Sequence, residues 1–283
     1  MRSRSEQIAR AVFAANRAHG RVSLELAARA GVTRRTMTRE DGSLRVRFPG
    51  ACAGAPEAVL VNTAGGIAGG DRFAVDLALD ADARLVVTTA AAEKIYRSLG
   101  PDACIDVTAT LRDGAELMWL PQETILFDRA RLARTVDIAL APTATLLFAE
   151  TIVFGRAAMG ETVRDGRLSD RWRVRRDGRL IFAEHFRLDG AIMDRLNEAA
   201  IAGGHTAIGT VLVAPGGDAA VASVRAASGQ FRGEVGISAW HVSSSGSIAL
   251  ARLAAPDGAA LRHDLIIVLS ALGRSALPRI WLN

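Results

Sequence analysis

Two glycine pairs, Gly65-Gly66 and Gly69-Gly70, are the first residues of this chain whose type and spacing could do chemistry. Glycine turns of this kind can bring backbone N–H groups against a phosphate. After Asp71, however, apolar and polar residues alternate with a period of two, so the turn leads into a strand and not into a helix N-terminus. The spacing also fits neither the P-loop nor the Gly-x-Gly-x-x-Gly motif. We therefore predict a tight turn or a bulge in a sheet, braced by Asp71.

Three carboxylates, Glu123, Glu150 and Glu184, follow or interrupt apolar runs. An ionised carboxylate in such surroundings must find a partner or shift its pKa. One interpretation is an ion pair with one of the 34 arginines of the chain. The other is that these carboxylates line a polar conduit or a surface that contacts a partner.

Other catalytic patterns are missing from the sequence. The two cysteines, Cys52 and Cys104, form no Cys-x-x-Cys motif, and no Gly-x-Ser-x-Gly elbow occurs. Ser243 to Ser247 is typical of a hairpin loop. The histidines never pair at metal-ligand spacing: His19, His185, His205, His241 and His263. We expect neither a serine hydrolase nor a tight metal site.

Composition predicts a cytoplasmic globular protein. At 283 residues the chain can bury a large core, and no apolar stretch approaches the length of a membrane span. The first 20 residues lack the continuous apolar region of a secretory signal. Lys94 is the single lysine, and the arginines behind the net charge of +5 are scattered. That distribution favours an acidic protein partner over a nucleic acid.

Short alternating segments separated by Gly, Pro or Asp predict a mainly β fold of stacked sheets. The predicted strands are Val22–Ala28, Leu44–Phe48, Val59–Asn62, Phe73–Leu79, Arg84–Thr89, Cys104–Leu111, Glu116–Leu120, Ala133–Leu140, Thr145–Phe154, Arg171–Arg175, Leu180–Leu188, Thr206–Val213, Glu234–His241 and Ile248–Leu253. Arg176 to Arg179 is predicted to be a hairpin turn.

Helical periodicity appears near the C-terminus, over Met193–Ala202, Asp218–Ala227 and Arg262–Gly273, with Gly273 at a C-terminal cap position. We therefore predict a large stacked or helix-like β-sheet body with a smaller α+β region, whose helices are concentrated in residues 190–275. Residues 1–20 are expected to be an N-terminal extension with a possible short helix over Ser5–Ala18. Residues 21–283 are expected to be a single domain.

Five ordered segments resemble the family of urease accessory proteins called UreD or UreH. They are Asn62–Arg72, Lys94–Ser98, Trp119–Asp128, Phe154–Arg156 with Met159–Glu161, and Leu277–Leu282. The resemblance implies a β-rich scaffold without catalysis of its own, which assembles with UreF and the GTPase UreG on apo-urease, with two copies in each assembly. It also implies that the complex delivers Ni(II) to urease, through a passage proposed to cross UreD. No tightly bound cofactor is expected, only transient Ni(II).

The resemblance also implies roles for individual residues. The candidates for an interface or for metal transit are Asp71, Glu123, Glu150, Glu161 and Glu184. The residues expected to determine the fold and its interfaces are Gly65, Gly66, Gly69, Gly70, Lys94, Tyr96, Arg97, Trp119, Gln122, Asp128, Arg279 and Trp281. Nickel accepts carboxylate ligands, and a transit path requires weak, exchangeable donors.

The chain departs from the family pattern at two places. Pro56-Glu57-Ala58 stands where many relatives have a Cys-His pair, and Glu93 replaces a common Thr. Two obvious metal ligands are thereby lost, which argues against tight nickel binding by this chain alone. Two alternatives to a scaffold stay open: a β-rich hydrolase that uses paired carboxylates such as Glu123 and Glu150, and a simple carrier that binds nickel itself.

Overall fold

Alternating strands build two stacked sheets in a computed structural model that describes residues 16–52, 54–242, 246–273 and 277–282. In chain order the strands are β1 (His19–Arg29), β2 (Val32–Gly42), β3 (Leu44–Arg47), β4 (Ala51–Cys52), β5 (Ala55–Asn62), β6 (Arg72–Leu79), β7 (Arg84–Thr89), β8 (Glu93–Ile95), β9 (Ala103–Leu111), β10 (Glu116–Trp119), β11 (Thr124–Leu126), β12 (Arg131–Leu140), β13 (Thr145–Phe154), β14 (Asp165–Arg176), β15 (Arg179–Ala191), β16 (Ala207–Ala214), β17 (Glu234–His241) and β18 (Ser247–Ala255).

The chain passes repeatedly from one sheet to the other. Sheet A has the order β15-β14-β12-β9-β6-β1-β2, and the main path of sheet B has the order β17-β18-β16-β13-β10-β7-β5-β3, with β4, β8 and β11 attached beside it. In sheet A the neighbours β6, β9, β12 and β14 are parallel. In sheet B the neighbours β5, β7, β10 and β13 are also parallel. Each passage from sheet A to sheet B and back adds one coil, which confirms the predicted helix-like stack of β-sheets.

The main core lies between the two sheets because their strands alternate buried and exposed positions. Along β12 the inward positions hold Leu132, Val136, Ile138 and Leu140, together with one charged residue, Arg134. Burial of a guanidinium at such a position requires carboxylate partners in the core.

Three helices are present in the described part of the chain: α1 (Ile192–Leu196), α2 (Asp218–Ala226) and α3 (Gly258–Ala271). Helix α3 packs on the outer face of sheet B, against β16 and β18, so β13 is buried on both faces. It begins four residues before the predicted start because the Asp257 carboxylate caps it, accepting a hydrogen bond from Ala260 N at 2.8 Å. Gly273 follows it with φ 74°, as a C-terminal cap requires. No helix of the described ranges is long and apolar enough to cross a membrane.

Some predicted elements are wrong or incomplete. The helix predicted over Met193–Ala202 ends at Leu196, because every residue from 197 to 201 is exposed and there is no apolar face for a longer helix to bury. The edge strand β2 was missed because its side chains are mostly polar and exposed. The short strands β4, β8 and β11 were also missed. Residues 1–15, which make up most of the proposed extension and of its Ser5–Ala18 helix, and residues 243–245 of the Ser243–Ser247 loop lie outside the described residues.

Candidate functional site

A buried ionic cluster of Arg134, Glu150 and Asp170 joins the two sheets. Arg134 lies on β12 and Asp170 on β14, directly opposite each other in the parallel register of sheet A, whereas Glu150 lies on β13 of sheet B. Arg134 Nε donates to Asp170 Oδ1 at 3.0 Å and Nη2 donates to Oδ2 at 2.5 Å. Arg134 Nη1 donates to Glu150 Oε2. All three residues are at most 6% exposed.

Two indoles complete the hydrogen bonding of this cluster. Trp119 Nε1 donates to Glu150 Oε1 at 2.8 Å, and Trp172 Nε1 donates to Asp170 Oδ1 at 2.9 Å. Phe148 lies between them, stacked on Trp119 and edge-on to Trp172. Sequence reasoning found Glu150 and Trp119 but missed Arg134 and Asp170. The available signal was their inward position in two alternating strands.

Burial controls the ionisation of the cluster. Desolvation raises the pKa of Glu150, and the charge of Arg134 opposes that rise in part. Burial also works to lower the pKa of Arg134, but the charges of Asp170 and Glu150 outweigh it and hold that pKa above its ordinary value. The guanidinium therefore stays charged in the core.

An outer cavity of about 480 Å³ opens beside the cluster and is lined by Arg134, Glu150 and Asp170 together with Glu184 and Arg252. Glu184 of sheet A pairs across this cavity with Arg252 of sheet B at 2.6 Å. The second carboxylate oxygen of Glu184 is buried and has no hydrogen-bond partner among the described residues. A buried acceptor without a donor is suited to a cation or a water molecule.

An inner cavity of about 70 Å³ lies on the other side of the cluster, and Arg134 and Glu150 line it as well. Asn62, Glu93 and Gln122 belong to its wall. Asn62 Nδ2 donates to Glu93 Oε1 at 3.0 Å. Burial raises the pKa of Glu93 to about 7.

A third, open space of about 710 Å³, here called the C-terminal groove, is lined by Gln122, Glu123, Arg262 and Ile280. Arg262 Nη1 donates to Gln122 Oε1 at 2.5 Å and to Glu123 Oε1 at 3.0 Å, and Arg262 Nη2 donates to the Trp281 carbonyl at 2.9 Å. Gln122 lines both this groove and the inner cavity. The three spaces therefore follow one another through the body, separated by the ionic cluster and by Gln122.

The carboxylates named from sequence are all paired or hydrogen-bonded. Glu123, Glu150 and Glu184 each contact an arginine, so the ion-pair interpretation describes all three. Glu161 pairs with Arg156 at 2.8 Å, which lowers its pKa, and it lines none of the three spaces.

Asp71 braces the glycine turn between β5 and β6. Its carboxylate accepts hydrogen bonds from Ala18 N at 2.8 Å and from Ala68 N at 2.7 Å. The turn carries the chain from sheet B to sheet A, so it connects two layers and is not a hairpin within one sheet. The hydroxyl group of Tyr96 donates a hydrogen bond to the Gly65 carbonyl of this turn at 2.9 Å.

The remaining named residues hold loops and the C-terminal segment in place. Asp128 Oδ1 accepts from Arg164 N and Asp165 N, and Trp281 Nε1 donates to Thr88 Oγ1 and to the Leu120 carbonyl. The Lys94 carbonyl accepts a hydrogen bond from Ile67 N, and the backbone of Arg97 forms an isolated antiparallel β-bridge with Ala130. Burial raises the pKa of Glu57, and Arg279 opposes this rise.

No group of three or more His, Cys, Asp or Glu side chains in the described residues is arranged to hold a metal ion. Cys52 and Cys104 are not joined in a disulfide among the described residues. The candidate site is thus a series of cavities with carboxylates in each wall, none of them grouped as a metal site in the described residues.

Comparison with known proteins gives one consistent result. The family model described as UreD urease accessory protein matches residues 18–282. The chain is 56% identical over 273 residues to the urease accessory protein UreD of Rhodopseudomonas palustris strain HaA2, covering 96% of both chains. It is 55% identical to that of strain BisA53, covering 96% of this chain and 93% of the relative, and 52% identical to that of Bradyrhizobium diazoefficiens, covering 99% and 100%.

Proposed function

Because the chain belongs to the UreD family of urease accessory proteins, which supports a role in urease maturation, we propose that it is a non-catalytic scaffold and metallochaperone. In this proposal it acts in the cytoplasm, binds apo-urease together with UreF and UreG, and assists the delivery of Ni(II). Two copies act in each assembly.

The series of three cavities is the observation that carries the transit part of the proposal. Glu184 lines the outer cavity, Glu93 the inner cavity and Glu123 the C-terminal groove, so each space has a carboxylate in its wall. Glu184 and Glu123 are each also paired with an arginine. Nickel accepts carboxylate ligands, and single carboxylates bind it weakly enough to release it. Donors spread over three spaces, with no preformed ligand group among the described residues, favour passage of a cation over its storage.

The hydrolase alternative has no comparable support. Acid–base catalysis by two carboxylates needs both groups in an open cleft with room for substrate. Glu123 is engaged by Arg262, and Glu150 is buried against Arg134 and Trp119. Neither carboxylate is free to act as a paired acid and base.

Urease activation in cells tests the proposal. Cells that contain nickel and the other accessory proteins should lose urease activity and urease-bound nickel when the gene for this chain is deleted. Glu184→Gln removes from the outer cavity the carboxylate whose second oxygen has no hydrogen-bond partner among the described residues, and it should lower activation several-fold while pull-down of apo-urease is unchanged. Glu161→Gln is the matched control, because that carboxylate lies away from the cavities, and it should leave activation near the wild-type level.

Two results would contradict the proposal. Unchanged urease activity and nickel content after deletion would reject the maturation role. Equal activation by Glu184→Gln and the wild type, with intact pull-down, would reject transit through the outer cavity.

A further inference from the structure

The outer and inner cavities meet at two side chains, Arg134 and Glu150, which line both. The two cavities share no other lining residue. Any ion that moves from one cavity to the other must therefore pass the contact between this guanidinium and this carboxylate.

The guanidinium occupies the position of a cation. All three of its nitrogens donate to carboxylate oxygens, two to Asp170 and one to Glu150. A divalent cation beside it would meet a unit positive charge in a partly desolvated site, where repulsion is much stronger than in water. With Arg134 in place, neither carboxylate is available as a metal ligand.

The three residues are unequally distributed between the sheets. Arg134 and Asp170 face each other in register on adjacent strands of sheet A, and two hydrogen bonds join them. Glu150 is the one member of the cluster that lies on sheet B, and a single hydrogen bond joins it to Arg134. The contact between the sheets therefore rests on fewer hydrogen bonds than the contact within sheet A, and its loss leaves Arg134 paired with Asp170.

Resting on the transit function proposed above, we infer that Arg134 is a charge gate: it closes the passage between the outer and inner cavities to divalent cations, and its withdrawal from Glu150 exposes that carboxylate as a cation ligand. Trp119 still holds the released carboxylate through its indole N–H. Glu184 in the outer cavity and Glu93 in the inner cavity provide a donor on each side of the gate.

Nickel binding by the purified full-length chain tests the gate without urease. Calorimetry with NiCl₂ should show that Arg134→Met, which fills the same space without charge, binds nickel at least about tenfold more tightly than the wild type. Arg134→Lys keeps the positive charge and should not gain this binding. The double variant Arg134→Met/Glu150→Gln should lose the gain, which locates it at the Glu150 carboxylate.

A second variant keeps the test decisive if Arg134→Met does not fold. Arg134→Gln/Asp170→Asn removes one positive and one negative charge, so the net charge of the cluster is unchanged while Glu150 loses its guanidinium. It should also bind nickel more tightly than the wild type. Circular dichroism establishes which variant is folded, and the nickel affinity of the folded variant then decides whether the gate exists.

The gate is overturned if the folded variant binds nickel no more tightly than the wild type, or if Arg134→Lys gains as much affinity as Arg134→Met. These results are distinct from failure of the proposed function, which the deletion measures in cells. Loss of urease activation on deletion without any nickel gain in Arg134→Met would reject only the gate. A nickel gain with no effect of deletion would reject only the maturation role.

Discussion

Glu93 shows at the scale of one residue how the inner cavity changes an ordinary carboxyl group. Its side chain is largely removed from water and accepts a hydrogen bond from Asn62 Nδ2 at 3.0 Å. Desolvation outweighs this hydrogen bond, and the pKa rises from 4.5 to about 7. The folded protein therefore binds a proton more tightly at Glu93 than the unfolded chain does.

This difference predicts a pH dependence of stability. An acid whose pKa is raised by folding contributes stability at low pH and loses it as the pH rises through the folded pKa. Relative to Glu93→Gln, the wild type should lose up to about 3 kcal/mol of unfolding free energy as the pH rises from 4.5 to about 7. Urea unfolding of both proteins across this range measures the difference.

Glu161→Gln is the control with the opposite sign. Arg156 lowers the pKa of Glu161, so the stability that this pair contributes is present at neutral pH and lost as the pH falls. A stability difference between the wild type and Glu93→Gln that does not vary with pH would contradict the assigned environment of Glu93.

At the scale of elements, the glycine turn depends on close packing against the segment that follows β8. A Cβ added to Gly69 would lie 2.0 Å from Ser98 Oγ and 2.6 Å from the Pro101 carbonyl oxygen. Ser98 Oγ also donates to that carbonyl at 2.5 Å. Space, and not left-handed backbone geometry, requires glycine at this position.

Gly69→Ala should therefore lower the free energy of unfolding by about 1–3 kcal/mol, the range for overpacking a well-packed site. Gly50→Ala is a matched control, because a Cβ there meets nothing within 4 Å. Urea unfolding at neutral pH compares the two. Equal midpoints for both variants would show that the Ser98 segment moves aside without loss.

Elements differed in how well sequence predicted them. Strands β13 and β17 have the predicted bounds, because long runs of apolar or alternating residues reach their ends. The edge strand β2 was missed since only one neighbour, β1, pairs with it and its side chains need no apolar pattern. The helix predicted from helical periodicity at Met193 is too long, because no apolar face is available beyond Leu196 to stabilise it.

Over the whole molecule, basic residues outnumber acidic ones, which would favour association with an acidic partner. The net charge is +5, and three arginines of β2, Arg34, Arg35 and Arg39, are exposed on the edge of sheet A. A net excess of charge of one sign raises association rates more than it raises affinity.

The association rate of this chain with apo-urease should therefore fall at least about tenfold between about 0.05 and 0.5 M salt, while the dissociation rate changes less. Surface plasmon resonance at several salt concentrations measures both rates. The variant Arg34→Gln/Arg35→Gln/Arg39→Gln should show a shallower dependence if β2 lies at the interface. An association rate independent of salt would contradict electrostatic steering.

The fold class, the family and the presence of carboxylates in apolar surroundings all follow from the amino-acid sequence. Alternation along each strand specifies which side chains face inward, and that information is local. Thus Glu150 and Trp119 could be named, and an arginine partner expected, before any coordinates. The five motifs identified the family because all of them occur, in order, along the chain.

The identity of the arginine that meets Glu150, and the two cavities that this contact separates, depend on how the strands pack in three dimensions. Arg134 lies 16 residues from Glu150 and 36 from Asp170 in sequence, and the contact among them depends on the register of β12 and β14 and on the stacking of the two sheets. The cavities likewise lie between layers, so no segment encodes them alone. Contacts between the sheets are set by packing of the whole core. For this reason the charged residues can be named from the sequence, whereas their meeting at the proposed gate depends on the fold.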